Sequence, residues 1–329
     1  MFRSGVDGLT IVGPRTAILD GSGLEGLTGI DVRPAAGVTQ LDGFNLVGLS
    51  IRDYGRNGVF LRSVPDYRLL SGEYINNQEY GLFPVRSTNG LIERNEVSGA
   101  NDTGIYVGQS KGATVQNNHA FDNTIGIEIE NSTDMKVLNN SIENNSLGIF
   151  GVVLPGRSIP MTKQLIIADN SSLNNNRFNP VTDPLDVLSR LPSGLGMLFL
   201  ATDEMNVFDN EITGNGSVGL GLLSLPPDLA ALDPLVDPTP DWNVFFDNVV
   251  LGNGNNPDPK LALLGLPPVD ILWDGTGSRN GWRDNEFVTS FPQVLPVPIP
   301  EPATWLMMIA GLGLVGGAMR RCNTRVAVS

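Results

Sequence analysis

The chain has 329 residues, 41% hydrophobic, 17% charged and 7% aromatic, with a formal net charge of −14. One His and one Cys exclude a structural zinc cage and an internal disulfide framework within the chain. An acidic chain without clustered cations also excludes nucleic acid as a partner. High Gly (39) and Pro (23) with low charge favour a repeat array over two globular cores.

Taken in chain order, a Gly followed by alternating apolar residues recurs at Gly58, Gly81, Gly104, Gly126 and Gly148, at intervals of 23, 23, 22 and 22. A second marker, an Asn beside a small or polar residue, falls at Asn95, Asn118 and Asn140 and returns at Asn170, Asn210, Asn248 and Asn285. This period, with short period-2 apolar runs, predicts one rung of a parallel β-helix per repeat. Such a rung cannot bury its apolar face alone, and stacking builds a continuous core. The Asn column is expected to form a side-chain amide ladder, and the Gly to permit the bend between strands. The wider late spacings predict inserted loops at 155–163, 177–192, 224–242 and 253–269. Short helices starting at Asp caps are expected at 183–190 and 228–232.

The runs Tyr80-Gly81-Leu82-Phe83-Pro84-Val85, Gly104-Ile105-Tyr106-Val107-Gly108-Gln109-Ser110 and Gly126-Ile127-Glu128-Ile129-Glu130-Asn131-Ser132 resemble bacterial right-handed parallel β-helix repeat proteins, which share the pectate-lyase-like superhelix. The segments 271–277 and 289–292 are similar to that group's terminal rungs. The resemblance implies an all-β, single-stranded right-handed solenoid of about ten rungs over residues 1–292. It implies no particular reaction.

After the Pro-rich linker 293–300 the composition changes. Pro300, Glu301 and Pro302 precede an uncharged apolar stretch, 303–319, and then Arg320 and Arg321. A stretch of that length predicts a transmembrane helix with the Arg pair on the cytoplasmic side, followed by a short tail at 322–329. The order of elements over 301–321 resembles the PEP-CTERM sorting signal of Gram-negative bacteria. That resemblance implies an exosortase as partner, passage through the inner membrane, and an end point at the cell surface or in the extracellular matrix. Residues 1–13 lack the pattern of a signal peptide, so a signal peptide and a first rung are expected to precede Met1.

Alternation aligned on Gly places Val59, Leu82, Ile105, Ile127 and Ile149 inward, and Phe60, Phe83, Tyr106, Glu128 and Phe150 outward in one column. Arg62, Val85, Gly108 and Glu130 form the next column, and Ser63, Arg86, Gln109 and Asn131 the one beyond. An outward ladder of Phe60, Phe83, Tyr106 and Phe150 flanked by Arg62 and Gln109 is what a sugar-binding face requires, because flat rings pack on pyranose faces and amides bind hydroxyls. Coverage of the same rings by an insert is the competing expectation. Glu128 and Glu130, at i and i+2, suit two-carboxylate glycoside chemistry or calcium binding, with Arg86 as a nearby base. Glu79 and Asp102, on adjacent rungs, are the weaker calcium candidates. Lyases of this fold, which the arrangement resembles, use calcium-ligating carboxylates with a basic residue. Three functions remain open: binding or organising extracellular polysaccharide, enzymatic modification of it by lyase, epimerase or hydrolase chemistry, and a purely structural matrix role.

Overall fold

The computed structural model describes residues 2–4, 7–184 and 186–298, with the backbone alone for 2–4. Its strands pair in parallel throughout, and one face carries eleven of them. That face runs through Val59–Arg62, Tyr80–Val85, Thr103–Gly108, Ile125–Glu130, Leu147–Val152, Leu195–Leu200 and Val218–Leu223. In a regular rung it is followed by two short strands, such as Thr114–Gln116 and His119–Phe121, before the chain climbs to the next level. The inward column predicted from alternation is present. Val59, Leu82, Ile105, Ile127 and Ile149 are fully buried in one core, which Met197, Leu220 and Ile271 continue.

The predicted amide ladder is formed. Each side chain of Asn95, Asn118, Asn140, Asn170, Asn210 and Asn248 donates to the Oδ1 of the next Asn at 2.8–3.0 Å, ending on Asn285. The residue before each ladder Asn has a left-handed backbone, with φ of 53–58° at Arg94, Asn117, Asn139, Asp169, Asp209, Asp247 and Asp284. Asn and Asp tolerate that conformation better than other residues with a Cβ, which accounts for the Asn-Asn and Asp-Asn pairs in the sequence. The corner is therefore made by the αL residue and held by the Asn after it.

The repeated glycines have a different role from the expected bend. Gly58, Gly81, Gly104, Gly126 and Gly148 are not among the positive-φ residues. They are needed for space: a Cβ on Gly126 would lie 2.7 Å from the Gly148 carbonyl oxygen and 2.6 Å from Ile142 Cγ2. Gly126→Ala should therefore cost about 3 kcal/mol, since overpacking a rigid core forces backbone shifts. Gly252→Ala, where φ is +67° and a Cβ meets nothing within 4 Å, should cost only about 1 kcal/mol. Urea unfolding of the two variants checks the difference, and equal losses would remove the spacing argument.

The expected inserts project from this scaffold. Within 183–190 the helix is a 3-10 turn, Val187–Arg190, capped by Asp186 rather than by Asp183. In 224–242 the helix Pro227–Ala230 starts on Pro226, and Asp228 lies in its first turn instead of capping it. A third helix, Pro259–Leu263, is capped by Asp258 and was not signalled by the insert's Pro-rich composition. No helix of the described residues is long and apolar enough to cross a membrane. The expected helix 303–319 and the sorting residues Pro300, Glu301, Pro302, Arg320 and Arg321 lie outside the described residues.

Candidate active site

The outward column is in register, with Phe60 beside Phe83, Tyr106 beside Glu128, and Glu128 beside Phe150. It is not an open ladder along its length. Phe60 and Phe83 are partly exposed, their rings 5.2 Å apart, with the Arg33 guanidinium over Phe60. Tyr106 and Phe150 are buried. Phe150 is covered by leucines of the inserts, among them Leu188, Leu191 and Leu261. Tyr106 folds its ring across Gly108, where a Cβ would lie 2.0 Å from its hydroxyl oxygen. The partly exposed rings of this predicted ladder are thus confined to Phe60 and Phe83.

Where the aromatic column is interrupted by Glu128, the structure has a cleft of about 440 Å3. Tyr80, Asp102, Glu128, Glu130 and Arg157 line it, with Asp183 and Asp186 from an insert. Glu128 and Glu130 share one strand and one face, as alternation requires, and both are buried. Arg157, from the loop at 155–163, places Nε 2.8 Å from Glu130 Oε1. Arg86 does not line the cleft; its Nε donates to Gln109 Oε1 at 3.3 Å. Gln109 Oε1 also accepts from the Ser158 hydroxyl at 2.9 Å, so it ties down the loop that carries Arg157. Arg62 is exposed on its strand.

The Thr103 hydroxyl lies 2.6 Å from Glu128 Oε2 and 3.0 Å from Asp102 Oδ1. It has one proton to donate and faces two carboxyls, so a proton held on one of the two relieves their mutual repulsion. Burial, with the charges of Asp102 and Glu130, pushes Glu128 well above the usual carboxylate range. Burial also raises Glu130, but Arg157 and the Tyr106 hydroxyl oppose that rise. Asp102 is pushed up to about 6, again by burial first, against hydrogen bonds from Tyr80 and Thr103. Tyr80 and Tyr106 are raised by burial and by the surrounding carboxylates, so both remain protonated donors.

These shifts have a consequence for folding. A carboxyl whose folded pKa exceeds its unfolded value adds stability that is fully present below the unfolded value and is lost as pH rises through the folded one. For Asp102, raised from 3.8 to about 6, the loss runs from about pH 4 to above pH 6 and is on the order of 3 kcal/mol. Asp102→Asn should flatten that part of the stability–pH curve, measured by thermal unfolding from pH 4 to 8. A variant curve as steep as the wild type would show that Asp102 is not the group responsible.

Glu79 and Asp102 do occupy adjacent rungs, the Asp102 amide donating to the Glu79 carbonyl at 3.2 Å. Their side chains part: Glu79 pairs with Arg56 at 3.0 Å on the surface, while Asp102 turns to Thr103 and Tyr80. Among the described residues no group of three or more His, Cys, Asp or Glu side chains is placed to hold a metal ion. Tyr80, Thr103, Arg157 and Asp186 were not signalled as site residues. Tyr80 and Thr103 stand two positions before the inward Leu82 and Ile105 in their rungs, so the repeat register did hold a signal for those two.

A solenoid of parallel strands defines a class of fold. Residues 28–225 match the right-handed β-helix region model, and the chain belongs to that family. Residues 298–321 match the PEP-CTERM protein-sorting motif, a signal for export and exosortase processing. No curated protein matches the chain by sequence. Among solved structures it is similar to the periplasmic alginate epimerase AlgG, in a double-mutant form, at 18% identity and a TM-score of 0.58, covering 75% of this chain and 51% of that one. It is similar to the Azotobacter vinelandii mannuronan C-5 epimerase AlgE4 A-module at 15% identity and a TM-score of 0.50, over 92% and 87% of the two chains. DFA-IIIase from Arthrobacter chlorophenolicus A6 is similar at 15% identity and a TM-score of 0.53, over 84% and 71%. The chain spans about half the length of the AlgG structure it matches.

Proposed function

We propose that this protein is exported, processed by an exosortase and held at the cell surface or in the extracellular matrix, where it cleaves a neutral glycan by acid–base catalysis. The carrying observation is that two glutamates of one strand enter one cleft in unequal environments. Glu128 is raised far by burial and by the neighbouring carboxyls, with Arg157 the last of its opposing influences, whereas Glu130 pairs directly with Arg157 at 2.8 Å. Carboxyls whose environments separate their protonation are the usual division between general acid and general base. Glu128 then gives its proton to the leaving oxygen as the glycosidic bond breaks, and Glu130 either takes a proton from the attacking water or bonds to the anomeric carbon itself, forming an ester that water then hydrolyses. Tyr80 and Tyr106 donate hydrogen bonds to the carboxyls. Phe60 and Phe83, on the same face two and one rungs before Tyr106, supply ring faces for sugar units beyond the cleft.

Neutral glycan is favoured over a uronate by charge. Five acidic side chains line the cleft against the single cation Arg157, which Glu130 already engages. A uronate carboxylate would enter that field unpaired, at a substantial electrostatic cost. The epimerases among the fold neighbours are named for alginate and mannuronan; this balance of charge fits such a substrate poorly. The test is to incubate the purified protein with neutral and acidic exopolysaccharides and follow new reducing ends and the ultraviolet absorbance of unsaturated ends. Reducing ends without unsaturation from a neutral glycan support the reading. Unsaturated ends from an acidic one would replace hydrolysis with elimination, and binding without any cleavage would leave the non-catalytic role.

A further inference from the structure

Beside the carboxyl cleft lies a second chamber, of about 360 Å3, between the long face and the inserts at 177–192, 224–242 and 253–269. Its floor includes Leu198, Leu200 and Leu223, and its roof Leu229, Leu261 and Leu266. Along the outward column Leu198 is followed by Gly221 and then Leu272, so the floor is one side chain short at that level. The polar groups at its edge are engaged with one another: Arg190 pairs with Asp228 at 2.6 Å, and Asp274 accepts from Ser224 at 2.7 Å. Native cores rarely leave voids larger than a water, and an apolar void of this size is characteristic of a ligand site. The two chambers are neighbours: Phe150, Leu154 and Val187 line both.

We infer that the apolar chamber binds the aliphatic chain of an amphiphilic glycan, a sugar carrying a linear alkyl or acyl substituent. The sugar end lies in the carboxyl cleft, and to that extent the inference rests on the function proposed above. A water takes about 30 Å3 of liquid volume and a methylene a similar space, so the chamber of about 360 Å3 holds a chain of at most about twelve carbons, enough for an octyl group. A protein helix is too wide for it, whereas an extended aliphatic chain fits. The acidic cleft at its mouth selects an uncharged hydroxylated head and disfavours the carboxylate of a free fatty acid. Leu264, half-exposed at the end of the Pro259–Leu263 helix, also lines the chamber.

The probe is octyl β-glucoside, titrated into the full chain below its micelle concentration and followed by calorimetry, with sodium octanoate as the anionic arm. Saturable binding of octyl glucoside is expected, with octanoate at least tenfold weaker. Leu198→Trp fills the chamber and should weaken octyl glucoside at least tenfold. Leu264→Asp, at a half-exposed position that does not threaten folding, should do the same by placing a charge in the chamber's lining. Absence of saturable binding, or binding unchanged in both variants, overturns the inference, and so does octanoate binding as tightly as the glucoside. If the wild type cleaves a neutral glycan yet never binds octyl glucoside, the chamber is excluded and the catalytic reading stands. Variant-sensitive octyl glucoside binding without cleavage of any glycan upholds the chamber and overturns the catalytic reading.

Discussion

Replacing Asn170 with Ala lowers stability by about 4 kcal/mol, whereas Asn285→Ala in the same ladder lowers it by only about 1 kcal/mol. Asn170 is 1% exposed. Its Oδ1 accepts from the Asn140 backbone amide at 3.0 Å and from Asn140 Nδ2 at 2.9 Å. Its Nδ2 lies within 3.0 Å of the Val137 and Ala168 carbonyls and of Asn210 Oδ1. Truncation strands these partners in a corner where water does not reach, and each buried orphan costs about 1–3 kcal/mol. Asn285 accepts equally from Asn248 but is only half-buried, so water replaces what is lost. Urea unfolding of the two variants measures the contrast. Equal losses would mean that the ladder does not act through buried polar groups.

The fold was legible because a solenoid writes its geometry as a period. The Gly and Asn markers located the rungs, and alternation correctly assigned the inward column from Val59 to Ile149. A second amide ladder, Asn123, Asn145, Asn175, Asn215 and Asn253, went unread although its spacing repeats the first, five residues later. It ends on Asp270, whose Oδ1 takes the place of an amide oxygen and whose Oδ2 accepts from the Thr289 amide and hydroxyl. The glycine role was misread because sequence alone does not separate a residue needed for φ from one needed for space.

The candidate site was half legible for the same reason. Glu128 and Glu130 come from the repeat, and the register places them correctly. Arg157 and Asp186 come from inserts, and a period says nothing about where a loop's side chains return. Arg86 was a reasonable partner by column, yet it sits at a corner where φ is +53° and its side chain turns to Gln109. The exposed aromatic ladder failed beyond Phe83 because the inserts that break the period also cover the face. Those inserts thus create both the buried cleft and the apolar chamber next to it.

Glu128→Gln reduces glycan cleavage by at least about a hundredfold and leaves the protein as stable as the wild type or more so at pH 8. Burial and the neighbouring carboxyls favour the neutral form of Glu128, and an amide copies that form in size. The Thr103 hydroxyl, 2.6 Å from Glu128 Oε2, can donate equally to an amide oxygen. Folding therefore loses little, while catalysis loses its proton. In the wild type the rate should fall as pH rises through the elevated pKa of Glu128, because the acid form is then depleted. Glu130→Gln gives the opposite balance, as it leaves the Arg157 guanidinium without its carboxylate at 2.8 Å and should weaken stability as well as rate. Reducing-end rates and unfolding midpoints for the two variants from pH 4 to 8 separate these outcomes. A Glu128→Gln protein that retained most of its activity would remove Glu128 as the acid, and with it the assignment of this cleft as a hydrolytic centre.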